Sequence, residues 1–450
     1  MAAPNERNAK QIIEGVKIEK LVYGGEGLAH HSGSTVFVPF VLPEERVTIE
    51  PVEQKKKFVR ARLERVLQAS PDRVEPRCQH FGDCGGCDYQ HFSYENQLRY
   101  KSGILRETLR RLGGIEWPGE ITMHASQPWG YRNRAQWKVR PLGQGVSDDA
   151  ADANGASKLA IGYFRANSTS LCAVKDCPIL APSLLQALLA LREALAAGAL
   201  PKNLREIEAF TTESTGGGDA KLLVTATFAG FPSRPAEVAE AFRRIVPSIE
   251  SLLFHDPGRD RMELFGSGFI ETRARDVNFR VGHFSFFQVN SHLAEEMVQE
   301  VVERDPGGRL AVDLYAGVGL FSVPLAKRFA RVIAVESNPA ATRDLETNVR
   351  GHGTIEVRTA EVERFLERFK ERPELVVLDP PRAGMEPGAA QRMARVAPAR
   401  ITYVSCEPPT LARDLKLLCE AGYELSEVHI FDLFPQTFHM ETVVRLRRRE

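Results

Sequence analysis

The stretch YVSCEPPTLARDL, residues 403–415, ends a β-branched and aromatic run on Cys406 and passes through Pro408-Pro409 into a helical pattern. A thiol at a strand end is most often a packed core group. Two nearby segments give this one other company. In ELVVLDPPRAGM an apolar run ends on Asp379, with Pro380 and Pro381 stiffening the exit, and in FHMETVVRL Glu441 opens the last apolar run. The carboxyl ends of strands in an open α/β sheet are where ligands sit, so Asp379 and Cys406 are expected to face one crevice. A thiol attacks only as thiolate, and an unperturbed one has a pKa of about 8.5, so Cys406 needs help there.

The same crevice is expected to hold a nucleotide. RLAVDLYAGVGLFSVPLAK carries an apolar strand to Asp313, a loop with Gly317 and Gly319 and then a helix, and Glu336 ends the next strand, RVIAVE. Glycines let backbone approach a ligand, and an acid at the end of the second strand accepts hydrogen bonds from ribose hydroxyls. Ser322 stands where a dinucleotide fingerprint has its third glycine. S-adenosylmethionine, which has no pyrophosphate to seat on a helix N-terminus, fits this loop better than a dinucleotide. An acid followed by Pro-Pro also marks amino-group methyltransferases, in which an aromatic comes next; here Arg382 comes next, which disfavours an exocyclic amine. The chemistry that wants a thiol beside a methyl donor is methylation of a pyrimidine at carbon 5. That carbon is a poor nucleophile until a thiolate adds at carbon 6, and its proton must leave before the thiol can. A base is therefore required: Glu441 is the candidate and His439 its competitor.

Other elements must position these groups. From about residue 285, strand, loop and helix alternate (LAVDLYAG, RVIAVES, TIEVRTA, LVVLDPP, ITYVSCE), then EVHIFDLF and ETVVRLRR close the chain. This predicts a doubly wound sheet with an antiparallel edge. Residues 10–68 read as short alternating strands separated by Gly and Pro, a five-stranded OB-type barrel. YENQLRYKSGILRETLRRLGG is an amphipathic helix ended by Gly113-Gly114. Residues 120–275 mix the strands AQWKVRPL, KLAIGYF and KLLVTATF with one helix, PSLLQALLALREALAAG; the polar GQGVSDDAADANGASK among them reads as a flexible hairpin loop.

Lys+Arg and Asp+Glu both number 59, which speaks against holding nucleic acid by bulk charge and leaves local basic faces, EQKKKFVRARLERV and GYRNRAQWKVR. The N-terminus lacks a secretory pattern and no run approaches about 18 uncharged apolar residues, so a cytoplasmic protein with no membrane partner is expected. Of seven cysteines, Cys78, Cys84 and Cys87 cluster in CQHFGDCGGC. An odd count speaks against a disulfide framework, and the clustering of these three points to metal; C-x5-C-x2-C matches neither common ferredoxin spacing, which leaves zinc and iron–sulfur both open.

FSFFQVN, DLYAGVGLFS, DPPRAGM, SCEPPTLARDL and HMETVVRL, in this order, resemble the RNA 5-methyluridine (uracil-C5) methyltransferase family, and with the N-terminal match the resemblance covers nearly the whole chain. It implies Cys406 as nucleophile, Glu441 as base, and Gln288, Tyr315, Glu336 and Asp379 around S-adenosylmethionine or the reacting base, beside Gly317 and Gly319. YGGEGLAHHSGSTVFVPFVLPEE resembles the TRAM module, found on the ribosomal-RNA branch of the family. That branch carries a 4Fe-4S cluster on the cysteine triplet plus a distant fourth thiol; Cys177, followed by Pro178 in KDCPIL, matches it, while Cys172 falls five residues early and is expected as a packed thiol. Carbon-5 methylation needs no electron, so the expected role of the cluster is to pin loops that hold RNA.

The implied fold is α/β: a Rossmann-like doubly wound methyltransferase domain (93–124 and 276–450), an N-terminal OB-like TRAM barrel (8–68), and a central α+β iron–sulfur domain (69–92 and 125–275). Two positions depart from the family pattern: Leu320, where many members have a polar residue, and Glu407, where Asn or Asp is frequent. The expectation is a monomeric enzyme that methylates one uridine of structured RNA, 23S ribosomal RNA, with the target base flipped out to Cys406 and Phe286 and Phe287 as stacking candidates. The alternatives are a tRNA uridine-C5 enzyme, an RNA cytosine-C5 enzyme, and a non-catalytic RNA-binding assembly factor, against which the intact Cys406, Asp379 and Glu441 weigh.

Overall fold

The computed structural model describes residues 12–141, 159–212 and 220–449, so the expected hairpin loop GQGVSDDAADANGASK lies outside the described residues. The chain forms two compact units. One takes in the chain up to Gly82, Cys87–Glu107 and Gln436–Phe438; the other has Asp83–Gly86, Thr108–Pro435 and His439 onward.

The first unit contains a six-stranded sheet rather than the expected five, in the order Ile13–Lys17, Arg46–Gln54, Phe58–Gln68, Ser34–Pro39, Glu26–His31, Lys20–Leu21. Two local features account for the difference. GVKIEKLVYGG breaks after Lys17, where Ile18 N turns to Glu45 O and Glu19 N to Leu28 O, each at 2.9 Å. EGLAHH hides its strand character behind Gly27, whose missing Cβ would sit 2.4 Å from Val41 Cγ2, so only glycine fits that packed position. Val16, Ile18, Val36, Val38, Val47 and Ile49 fill the core. Buried Glu45 accepts both prongs of the Arg73 guanidinium, Nε at 2.6 Å and Nη2 at 2.8 Å, and so ties the segment after the barrel to its base. Lys55, Lys56 and Lys57 form the exposed tip of the long hairpin, while Arg60 pairs with Glu26 at 2.7 Å.

In the second unit, a seven-stranded sheet runs Leu171–Ala173, Leu159–Phe164, Arg134–Pro141, Leu204–Thr211, Leu222–Phe228, Ile249–Asp256, Arg261–Gly266. Two helices accompany it: Pro182–Ala196, which the sequence predicts, and Pro235–Ile245, which it does not.

The larger sheet follows the order Ile355–Thr359, Phe329–Glu336, Gly308–Leu314, Leu375–Leu378, Arg400–Ser405, Glu441–Arg448, Tyr423–Phe431, Thr122–His124. The first five strands are parallel, and the inner four are largely apolar, as burial on both faces demands, while the edge strand Ile355–Thr359 is part-exposed. The antiparallel pair near the end of the chain is present, yet it does not form the edge. Thr122–His124 pairs parallel to Tyr423–Phe431, a strand too short to register in the sequence. Strand order reverses between Gly308–Leu314 and Leu375–Leu378, which opens a crevice beyond their carboxyl ends.

Candidate active site

Tyr315, Glu336, Asp379, Cys406 and Glu441 stand at a strand end or one step past it, so strand register fixes which of them meet. Leu314 pairs with Leu378, which sets Tyr315 level with Asp379. Leu378 pairs with Tyr403, and Ser405 with Thr442 across the antiparallel join, so the next residues, Cys406 and Glu441, face each other. The nucleophile and base candidates, far apart in sequence, are thus neighbours by backbone pairing alone.

The glycine loop has the expected form. Gly317 (φ +55°) has nothing within 4 Å of a Cβ built on it, which leaves room for a ligand, whereas Gly319 (φ +95°) would meet Leu345 Cδ1 at 2.8 Å. Glu336 accepts from Gly317 N at 2.8 Å and from Ser337 N and Asn338 N at 2.8 and 2.7 Å, which fixes its carboxylate at the mouth of the loop. Ser322, the residue in place of a third glycine, donates its hydroxyl to Asp313. Leu320 is packed in the core and offers the crevice no polar contact.

Tyr315 holds a left-handed φ of +62°, a conformation costly for a residue with a Cβ and found where a site is over-determined by its surroundings. Its hydroxyl faces the Glu363 carboxylate without reaching hydrogen-bond geometry, and among the described residues Asp313 Oδ1, Tyr315 Oη and Glu363 Oε1 are all buried with no partner. Buried polar groups are ordinarily satisfied, and these three are ones that a polar ligand in the crevice would satisfy. With Glu336, they fit an adenosyl cosubstrate. Glu363 carries no motif, and nothing in the sequence singles it out.

The segment FSFFQVN separates two phenylalanines that the sequence treats alike. Phe287 is buried against Phe210 and Phe279, while Phe286 is 56% exposed. Packing therefore claims Phe287, and Phe286 alone of the two offers a face to a base. The segment is held rigidly: buried Asp344 accepts from Gly282 N and Ser285 Oγ at 2.6 Å each, Arg134 donates to Ser285 O at 2.8 Å, and Asn133 to Gln288 O at 3.0 Å.

The electrostatics around Cys406 pull in opposite directions. Burial, then the nearby Glu441 carboxylate, push the thiol up to about 12; Arg382, charged and hydrogen-bonded toward the sulfur, pulls the other way. Glu441 is held well above the carboxylate range by burial and by Asp379, again eased by Arg382. Asp379 is itself raised by burial and by Asp313. Three carboxyl groups thus crowd round one thiol, with Arg382 as the cation that bears on Cys406 and Glu441. Crowded acids of this kind mark sites of proton transfer. His439 lies against Phe434, ring centroids 5.8 Å apart.

The cysteines divide between the units. Among the described residues all seven are thiols rather than disulfides. Cys78 and Cys87 belong to the first unit, Cys84 and Cys177 to the second. Within the second, Tyr163 Oη lies 4.0 Å from Cys177 Sγ and feels both Cys177 and Cys84. Cys172 is buried, as expected of a packed thiol, and is hydrogen-bonded with Cys84, a contact its sequence position does not announce. Thiol ligands suit zinc and iron–sulfur alike.

Residues 267–449 match the family profile described as tRNA (Uracil-5-)-methyltransferase, and residues 13–63 match the TRAM domain. An RNA methyltransferase of Thermotoga maritima is 32% identical, over 97% of this chain and 99% of its own. The chain belongs to the RNA uracil-5-methyltransferase family. A second relative, an RNA methyltransferase of Aquifex aeolicus, is also 32% identical, over 96% of this chain and 98% of its own. The Pyrococcus abyssi tRNA (uracil-54, C5)-methyltransferase, solved with S-adenosyl-L-homocysteine, superimposes with a TM-score of 0.72 at 27% identity, covering 96% of this chain and all of that one. The protein is therefore an S-adenosylmethionine-dependent RNA (uracil-5-)-methyltransferase with a TRAM domain. Among the described residues, no helix is long and apolar enough to cross a membrane.

Proposed function

We propose that this enzyme methylates carbon 5 of a specific uridine in 23S ribosomal RNA through a covalent bond between Cys406 and carbon 6. The observation that carries the mechanism is the register that sets Cys406 opposite Glu441 beside Arg382. S-adenosylmethionine would supply an electrophilic methyl group and, as its sulfonium–methyl bond breaks, leave as S-adenosylhomocysteine. The Cys406 thiolate adds to carbon 6, forming the S–C6 bond and moving the C5=C6 π electrons toward carbon 5, which takes the methyl group. Glu441 then removes the carbon-5 proton; the double bond re-forms as the S–C6 bond breaks, returning the thiolate. A base desolvated enough to hold its proton tightly suits abstraction of a weakly acidic C–H proton once it is ionised. The thiolate fraction rises with pH across the neutral range, because the thiol is held far above it.

The ribosomal target is supported by the TRAM domain together with the four cysteines that the resemblance joins to it. To Cys78, Cys84, Cys87 and Cys177 this reading gives a 4Fe-4S cluster, which would order loop backbone rather than pass electrons. The likeness to a tRNA uracil-54 enzyme favours the second reading, a transfer-RNA target. Mapping 5-methyluridine in ribosomal and transfer RNA of a strain lacking the protein tests both. Loss of one 23S site supports the first reading, loss of a tRNA site replaces it with the second, and loss of 5-methylcytidine instead overturns the uracil assignment.

A further inference from the structure

Asp414 lies in the helix Pro408–Glu420 that begins just after Cys406, and it is 1% exposed. Its carboxylate joins three parts of the chain. Oδ2 accepts from Tyr403 Oη, on the strand that ends at the nucleophile, and from Met385 N, in the loop after Asp379, both at 2.7 Å. Oδ1 accepts from Arg413 Nε at 2.8 Å, and the other end of that guanidinium donates to Ala383 O at 2.9 Å and Met385 O at 3.2 Å. Thr410, one turn earlier, donates to Arg382 O at 3.1 Å. Gly384 (φ +77°) lets the loop come this close, since a Cβ there would be 2.5 Å from Asp414 Oδ2. The loop held in this way, residues 382–385, begins with the residue whose guanidinium bears on Cys406.

A buried carboxylate is tolerated only when its lone pairs are filled, and here every donor comes either from the nucleophile's strand and helix or from the Arg382 loop. We infer that Asp414 is a positioning residue, which fixes the Arg382 loop against the Cys406 helix so that the guanidinium stays on the sulfur. It touches no reacting atom; it acts through Arg382. The inference rests on the reading of Cys406 as nucleophile. The titratable groups bearing on the sulfur are Arg382, Glu441 and Asp379, and Arg382 alone among them favours the thiolate.

The test is a double-mutant cycle on the full-length protein, with Asp414→Asn, Arg382→Met and the combination. Alkylation of Cys406 by iodoacetamide at fixed pH, followed by mass spectrometry of its peptide, reads thiolate availability. Arg382→Met and Asp414→Asn should each slow it about ten-fold, the size of one pKa unit, and the double variant no more than Arg382→Met alone. In the methylation assay kcat should fall with KM for S-adenosylmethionine unchanged. Should Asp414→Asn not fold, Tyr403→Phe, which removes one of the bonds that orient Asp414, should give a smaller loss that likewise vanishes in the Arg382→Met background. Equal losses with and without Arg382 would mean that Asp414 only stabilises the fold, and would overturn the inference. Failure of the underlying reading shows separately, as methyl transfer by Cys406→Ala, whatever the alkylation rates do.

Discussion

The nucleotide crevice and the cysteine set put chemistry-bearing residues together in different ways. In the crevice, Tyr315, Asp379, Cys406 and Glu441 each adjoin a paired strand residue, and the pairing Leu314–Leu378–Tyr403 with Ser405–Thr442 orders them without any side chain's help. The four expected cysteine ligands sit in turns and at isolated bridges, such as that of Cys84 with Arg165. A site built on strand ends inherits the precision of the sheet, while a site built on turns depends on whatever ties those turns down. Losses at the crevice should therefore be chemical and leave the fold intact, and losses at the cysteines should be structural and leave the chemistry diminished but present.

The largest effect expected is at Cys406. Cys406→Ala should reduce methyl transfer by about 10⁴-fold or more, as when a covalent nucleophile is removed, with S-adenosylhomocysteine affinity unchanged by calorimetry, because the glycine loop and Glu336 remain. Transfer at a rate near wild type would break the crevice side of the comparison. In the wild type, single-turnover rates should rise with pH between about 7 and 9, since deprotonation of a raised thiol limits attack. A flat profile would mean that the thiolate is already formed.

Glu441→Gln should lower turnover by about 10²- to 10⁴-fold, the usual worth of a general base, while leaving addition and methyl transfer possible. A protein–RNA adduct should then accumulate on ordinary RNA and be seen on denaturing gels. Normal turnover would move the role to His439. On the cysteine side, Cys84→Ser should cost most of the bound iron and lower thermal stability, with methylation falling less than in either variant above. Wild-type protein prepared without oxygen should be brown with about four irons per chain; colourless protein holding zinc would reassign the cysteines. The smallest effect is expected at Gly319→Ala. The left-handed backbone there costs an L-residue about 1–2 kcal/mol, read as a lower Tm and weaker S-adenosylhomocysteine binding.

Strand ends also make the crevice legible in the sequence. An apolar run that stops at an acid or a thiol states both the element and the residue it presents, so Asp313, Glu336, Asp379 and Cys406 can be read directly. Glu363 cannot, because it lies on the short helix Val362–Arg368 and reaches the crevice by the winding of the sheet rather than by a motif. Asp414 is visible in ARDL as a helical acid, but its partners Tyr403 and Met385 are brought to it by packing. FSFFQVN shows that aromatics are there without saying which is buried. In the barrel, Glu26–His31 escapes a sequence reading because a strand that needs glycine for close packing has the composition of a turn. The edge strand Thr122–His124 has only three residues, below the length at which alternation means anything.

The covalent bond from Cys406 to carbon 6 of the target uracil can be captured directly. RNA carrying 5-fluorouridine at the mapped site cannot release a proton from carbon 5, so the reaction should halt after methyl transfer with enzyme and RNA joined. Denaturing electrophoresis with S-adenosylmethionine present should show a stoichiometric complex, and mass spectrometry of the digested complex should find the methylated fluorouridine on the Cys406 peptide. Methyl transfer to that RNA with no linked species, or linkage at another residue, would contradict the account.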